Sequence, residues 1–411
     1  MPGWPDSPLR LFPEPITRRR GWERAAFVFF VVGVACVPGI GVANICLAAT
    51  LFCTLAWRLS ARARGEDFLG PFRRTTPLHA PIGLFVLLSI LSCAFSTLPF
   101  RSFIQIKGFG TFLLVVFVAA LLDDEDDVRL VVNLWRTTAL YLVLRGLVEW
   151  LAGADNLDLR VTGGLSVYMT YAGLLLVFVP LLGSRGLSGG HRISRIADTI
   201  VAAAGAFAIA LTLTRSAYLG LAIGLLVVLL AARPRLALVA PFAIAVFFVL
   251  MPLAVRDRLM SATNPKDVTM NDRVAMWRAG ATMIRERPLF GVGPGRVKAL
   301  YPAYRVSGWV EARPGHLHNN VVMIAAETGI PSLLAYLWFV GAFFAAALRQ
   351  VRASTRGEPL RGITLGAMGA MAAVFAAGMF EYNFGDVEVL MATLVVATLP
   401  FAASRTGRPA D

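Results

Sequence analysis

The sequence predicts an all-α, polytopic integral membrane protein with about twelve transmembrane helices and one large external loop. Three observations predict it. Apolar residues make up 57% of the 411 and charged residues only 16%, against about 45–50% and 25% in soluble domains. Mean hydropathy is +0.67. Apolar runs long enough to cross a bilayer as helices, about 17–25 residues each, recur along nearly the whole chain, and the short alternating segments of a membrane β-barrel are missing.

The first element follows a basic stretch containing Arg18, Arg19, Arg20 and Arg24. No A-x-A-like cleavage site follows it, so a retained first span is expected and not a removed signal peptide. Spans are expected at 25–38, 40–57, 78–95, 104–122, 130–150, 165–183, 197–213, 217–232, 236–254, 333–348, 362–380 and 387–403. The first two are short or closely joined, which suits tilted or partly re-entrant segments.

Orientation follows from the loops. With the N-terminus inside, "RLSARARGEDFLGPFRR", "SRGLSGGHRISR", "RPR", "RQVRASTRGEPLR" and the tail "SRTGRPAD" all lie on the cytoplasmic side. Each carries at least two arginines, as the positive-inside rule asks. The acidic stretch "DDEDDVR" at 123–129 also falls inside, where acidic residues weigh little on topology. Both termini are expected in the cytoplasm. The chain then divides into an N-terminal membrane part (1–254), an external loop segment (255–332) and a C-terminal membrane part with a tail (333–411). The net charge of +14 is attributed to inner loops and not to a nucleic-acid partner. Cys36, Cys46, Cys53 and Cys93 all lie in apolar segments and are expected as small core residues, neither disulfide-bonded nor metal-binding.

Within the external loop, residues 255–317 carry eleven arginines and lysines against five acids, a net +6. That composition fits a solvated basic face or an anionic partner such as a phosphate or pyrophosphate. Two neighbouring features repeat the theme. In "LTLTRSAYLG" (211–220), Arg215 falls between two apolar stretches, flanked by Thr212, Thr214 and Ser216. It can snorkel to the interface or bind an oxyanion. In "RPLFGVGPGRVK" (287–298), the alternating Gly291, Gly293 and Gly295 can expose backbone N–H groups to a phosphate or simply mark a turn. The stretch is neither a P-loop nor a dinucleotide fingerprint.

Upstream, Val274, Trp277, Ala281 and Ile284 share one helical face, predicting an amphipathic helix near the membrane with Arg273 one turn from Trp277. Two of the four histidines, His316 and His318, fall just before an apolar stretch. A metal site there lacks further ligands at any recognisable spacing. Asn319 or Asn320 can cap the helix that follows, and an imidazole can serve as a general base. Finally, "FEYNFGDVEVL" (380–390) places Glu381, Asp386 and Glu388 at an external boundary. These carboxylates can orient a sugar hydroxyl, orient the histidine, or pair with Arg215 or a loop arginine. "STLPFRSFIQIK" (96–107) adds Arg101 and Lys107 at another external boundary.

Together these residues resemble the bacterial O-antigen ligases and the related O-antigen polymerases. The shared pattern is a His followed by Asn, Ser or Gln, then Gly after nine residues, then Gly, Thr or Tyr. Here His318 and Asn319 precede "NVVMIAAET" and Gly329, and Ser332 departs at the last position. "TRSA" at 214–217, the R-x-x-x-W of Arg273 and Trp277, and "PLFGVGPG" at 288–295 extend the resemblance, which covers most of residues 95–400. It implies a GT-C-like glycosyltransferase of the bacterial inner membrane, with its active site facing the periplasm. His318 would activate the acceptor hydroxyl, and Arg215 and Arg273 would hold the pyrophosphate of an undecaprenyl-pyrophosphate glycan donor. Arg278, Lys107, Asp386, Asn319 and Trp277 rank second. Lipid A–core is the acceptor it implies, with inversion at the anomeric carbon and no metal or other cofactor. A glycan polymerase and a protein O-oligosaccharyltransferase use the same donor chemistry. A transporter is the alternative of another class, but no internal repeat is visible and the polar residues gather at one face.

Overall fold

The computed structural model describes residues 13–153, 160–188, 191–232, 256, 268–305, 314–355 and 357–403. These form helices, turns and connecting segments, with no strand among them. Among the described residues seven helices are long and apolar enough to cross a membrane: Ile40–Ala63, Pro99–Leu121, Tyr168–Leu187, Arg192–Leu211, Arg215–Ala232, Asn320–Ala353 and Pro359–Ala377. They coincide with seven of the twelve expected spans. The expected span 236–254 lies outside the described residues. The remaining four are the helices Gly21–Ala35, His79–Ala94, Glu125–Leu151 and Val387–Ala403. The first of these has 15 residues. At 1.5 Å per residue it reaches only about 22 Å, short of a full bilayer crossing.

The described α-helices are numbered in chain order: α1 Glu14–Thr17, α2 Gly21–Ala35, α3 Ile40–Ala63, α4 His79–Ala94, α5 Pro99–Phe103, α6 Leu113–Leu121, α7 Glu125–Leu151, α8 Tyr168–Leu187, α9 Arg192–Leu211, α10 Arg215–Ala232, α11 Val268–Glu286, α12 Val297–Tyr304, α13 Asn320–Ala353, α14 Pro359–Ala377 and α15 Val387–Ala403. In the central bundle α8 packs against α9 and α14, and α10 lies along α14. Small residues set that last contact. A Cβ on Gly220 would come within 2.5 Å of the Ala373 carbonyl, and one on Gly224 within 2.6 Å of the Gly369 carbonyl. With lipid outside, helices associate through such close backbone approach and not through a hydrophobic drive. Outward faces stay apolar. On α3, Ile45, Phe52 and Leu59 recur at sevens and are well exposed, a stripe suited to acyl chains and hazardous in water. Cys46, Cys53 and Cys93 are buried, Cys36 is half-buried, and all four are free thiols.

The acidic stretch at 123–129 is explained by its partners. Asp124 caps α7 by accepting from the Asp126 and Asp127 amides. Fully buried Asp127 accepts from both guanidinium nitrogens of buried Arg19, at 3.0 and 2.6 Å. Arg18 pairs with Asp124, and Arg74 pairs with Asp123. The basic residues between α1 and α2, together with Arg74, and the acids at the start of α7 thus neutralise one another at one end of the bundle.

One element departs from expectation. The tenth span, expected at 333–348, is the lower part of the 34-residue α13, which begins at Asn320 and bends at Gly329 (φ 88°, ψ 169°). Pro331, which has no N–H to donate, sits just beyond the bend. Apolar spacing alone cannot show that the two stretches join.

Candidate active site

The bend in α13 organises the site. Carbonyls and amides released there bond to the glycine-rich turn. The Val292 amide donates to the Ala326 carbonyl at 2.8 Å, the Gly293 amide to the Glu327 carbonyl at 2.9 Å, and the Ile330 amide to the Pro288 carbonyl at 2.8 Å. The Gly295 amide donates to the Glu327 carboxylate at 2.8 Å. A Cβ on Gly329 would overlap the Leu289 carbonyl, so only glycine fits. The possible phosphate cradle at 287–298 is therefore a latch: the amides of Val292, Gly293 and Gly295 already have protein acceptors. The segment after α4 closes over it, with Ser102 Oγ donating to the Pro294 carbonyl at 3.1 Å and the Thr97 amide to Val292 O at 3.2 Å.

Above the bend, the N-terminus of α13 is laced to the loop between α14 and α15. Asn319 caps the helix, its Oδ1 accepting from the Val322 amide at 2.9 Å, while its Nδ2 donates to the Met379 carbonyl at 2.8 Å. Buried Asn320 donates through its backbone amide to the Gly378 carbonyl and through Nδ2 to Asn383 Oδ1, both at 2.7 Å. These bonds bring residues 379–383 beside His318.

The resulting cluster joins three separate stretches of chain. His318 Nδ1 lies 3.0 Å from Glu381 Oε2. His316 Nε2 lies 3.6 Å from Glu381 Oε1, and Arg273 Nη2 lies 3.7 Å from Oε2. Burial would raise the Glu381 carboxyl, but the hydrogen bond from His318 and the charges of His318, His316 and Arg273 outweigh it. The group is held below the usual carboxylate range. An ionised Glu381 only accepts, so the His318 proton belongs on Nδ1, leaving Nε2 with its lone pair. The His318 amide donates to His316 Nδ1 at 3.3 Å, which puts the proton of neutral His316 on Nε2, toward Glu381. Burial, opposed by Glu381, pushes the His316 imidazole below its ordinary value and favours that neutral form.

The backbone is strained where the chemistry would sit. Among the described residues only Leu213 (φ 52°) and His318 (φ 48°) are non-glycines with positive φ. Such conformations persist where surrounding contacts over-determine them. At His318 those contacts include the Trp277 indole N–H, which donates to the Leu317 carbonyl at 3.0 Å, while the indole ring packs 6.0 Å from Phe380. Trp277 thus holds the histidine loop. The expected amphipathic face of α11 (Val274, Trp277, Ala281, Ile284) is only half-buried. Its buried stripe is Met276, Ala279 and Met283, packed with Leu317, Met323 and Tyr301. The helix packs on protein, which shifts the face.

Arg215 is half-buried and opens α10, just after the turn strained at Leu213. It stands at the same end of the bundle as Glu381, since Gly220 of α10 meets Ala377 at the end of α14. The flanking Thr212 and Thr214 hydroxyls donate to the Ile209 and Thr212 carbonyls. Asp386 accepts from Thr170 Oγ1 at 2.5 Å and from the Val389 amide at 3.3 Å, capping α15, while Glu381 takes the place beside the imidazole. Arg278 is exposed on α11. The Lys107 side chain lies outside the described residues.

His316 is the member that sequence reasoning left without a role, and Glu381 shared its candidate roles, orienting the histidine among them, with Asp386 and Glu388. Glu381 was one of three carboxylates in a short loop, and nothing in the spacing ranks them. The ligand atoms of His316, His318 and Glu381 lie within 4.8 Å of one another, close enough to share a cation. Yet the His318 nitrogen and a Glu381 oxygen are already turned to each other, and the Arg273 guanidinium lies beside that same oxygen. A second cation there would meet its repulsion. The arrangement is that of an imidazole oriented by a carboxylate.

Residues 200–337 match a family model described as O-antigen ligase. No curated protein matches the chain.

Proposed function

We propose, from the match of residues 200–337 to a family model described as O-antigen ligase, that this chain moves a glycan from undecaprenyl pyrophosphate to an acceptor hydroxyl of lipid A–core. The observation that carries this reading is the 3.0 Å contact between His318 Nδ1 and Glu381. It leaves Nε2 as the proton acceptor on a half-buried side chain that a substrate can reach.

The acceptor oxygen attacks the anomeric carbon while its proton passes to His318 Nε2. The bond from that carbon to the pyrophosphate oxygen breaks, its electron pair leaving with undecaprenyl pyrophosphate. Direct displacement inverts the anomeric centre. Glu381 stabilises the imidazolium as it forms, as carboxylates do for histidine bases. Arg215 and Arg273 hold the developing pyrophosphate charge, and the basic segment around α11 draws the anionic donor to that end of the bundle. Arg18, Arg19 and Arg74 gather at the Asp123–Asp127 end. The positive-inside rule makes that end cytoplasmic, which supports a periplasmic His318.

Reconstitution with undecaprenyl-pyrophosphate glycan and lipid A–core tests the proposal. One-step attachment to the core is expected, with loss of turnover in His318→Ala. A ladder of longer carrier-linked glycans would assign the chain to polymerisation instead. Wild-type turnover in His318→Ala would remove the general-base role.

A further inference from the structure

A second polar site lies at the other end of the bundle. Helix α8 carries Thr170, bonded to Asp386 near the histidine cluster, and Arg185 fifteen residues on. At 1.5 Å per residue the two stand about 22 Å apart along the axis. Around Arg185, helices α7, α8, α9 and α14 enclose a cavity of about 270 Å³, lined by Arg129, Arg185, His191, Ser194, Arg195 and Asp198.

Its charges do not balance locally. Buried Asp198 is shared by two cations, with Arg136 Nη1 and Arg185 Nε each 3.4 Å away. Arg185 Nη2 donates to Asn133 Oδ1 at 3.0 Å, but its Nη1 is buried without a hydrogen-bond partner among the described residues. Among the described residues Arg195 uses only Nε, donating to the Gly186 carbonyl at 3.2 Å. Arg129 arrives with its own partners, Glu125 and Asp126. Asp198 therefore answers Arg136 and Arg185, and Arg195 stands beside the cavity without a carboxylate partner among the described residues. A buried N–H of a guanidinium left unsatisfied is costly, and a planar fork at a membrane boundary matches a phosphate oxygen pair.

The surface beside the cavity suits a lipid. Ile193, Ile196 and Ile200 form one exposed stripe on α9, the same helix that supplies Ser194, Arg195 and Asp198. Basic pockets between transmembrane helices bind the headgroups of anionic lipids in this way. We propose that this cavity binds a phosphate group presented by an anionic phospholipid of the surrounding leaflet. The headgroup phosphate engages the outer nitrogens of Arg195 and draws Arg185 Nη1, buried against protein in this structure, round into the cavity that its side chain lines, and the acyl chains lie along the isoleucine stripe. This site is separate from glycan transfer and its test does not depend on that activity.

The full-length protein in detergent is titrated with short-chain phosphatidylglycerol, phosphatidylcholine and inorganic phosphate, reading thermal midpoint and lipid retention by native mass spectrometry. Phosphatidylglycerol is expected to raise the midpoint and to be retained, with phosphatidylcholine inert. Arg195→Gln, an exposed position with little burden on folding, is expected to weaken phosphatidylglycerol binding about tenfold, the loss of one charge-assisted hydrogen bond. Arg185→Lys keeps the charge, loses the fork and weakens binding similarly. If Arg185→Lys fails to fold, Arg195→Gln decides. Equal shifts with both lipids, or wild-type binding in the folded variants, would overturn the site. A shift with inorganic phosphate that phosphatidylglycerol does not reproduce would overturn the lipid.

Discussion

Replacing Glu381 by Gln removes one charge and almost no volume. The carboxylate accepts from His318 Nδ1 at 3.0 Å, with His316 and Arg273 at 3.6 and 3.7 Å. In Glu381→Gln the ring loses its anionic partner as it becomes imidazolium. A charge-assisted hydrogen bond contributes about 1.5–3 kcal/mol, so kcat should fall about 10- to 150-fold. The loss grows if the Gln amide turns its NH₂ toward Nδ1, because the ring proton then moves to Nε2 and the base is lost. KM for the lipid-linked donor should change less than kcat, because Glu381 acts chiefly on the proton transfer, while loss of its charge also releases Arg273, 3.7 Å away, toward the pyrophosphate. Glu381→Asp, one methylene shorter, should restore part of kcat. The assay is single-turnover transfer in proteoliposomes, with folding checked by thermal midpoint. If Glu381→Gln kept kcat within about twofold of wild type while His318→Ala was inactive, the carboxylate would have no part in orienting or charging the base.

Gly329→Ala should lower the thermal midpoint and abolish transfer, because the side chain meets Leu289 O in a left-handed conformation that costs about 1–3 kcal/mol by itself; a folded, active Gly329→Ala would refute the latch. Arg19→Met leaves Asp127 buried without its main partner and should destabilise by about 3–5 kcal/mol, read as a drop in midpoint, while Arg19→Met with Asp127→Leu should recover much of it. His316 is depressed in the fold, so the unfolded chain takes up its proton first as pH falls. Stability is therefore complete above about pH 6.5 and declines below it, while the Glu381 contribution, also from a depressed group, persists until below about pH 4.3. Thermal scans from pH 8 to pH 5 should show that decline, flattened in His316→Gln.

The membrane class and seven of the expected spans were legible because each rests on local information, the length of an apolar run; His318 was grouped with Arg273 and Trp277, more than forty residues away, only through the family resemblance. What was not legible depends on distant pairing. Glu381 lies 63 residues from His318 and was indistinguishable by spacing from Asp386, which proved to cap α15. The glycine-rich turn looked like an anion cradle because positive φ and free amides are local traits, whereas the carbonyls that occupy those amides come from a helix bend more than thirty positions on. The acidic stretch at 123–129 looked like an exception to topology until Arg18, Arg19 and Arg74 met it. Buried-face assignment on α11 slipped because the helix packs against its own protein and not against lipid.

The contact between α10 and α14 bears on biosynthesis. The glycines that seat α10 face Gly369, Ala373 and Ala377, about 150 residues further along the chain. A growing polypeptide inserts α10 and its Arg215 long before the surface that receives them exists. The proposed arginine end of the site is therefore completed only when α14 has been translated and threaded into the bilayer. Ribosome-stalled chains ending before Pro359 should still insert, yet leave Arg215 open to water-soluble cross-linkers. Protection should appear in one step once the later helix emerges. Assembly of this site is thus governed by the last quarter of the message.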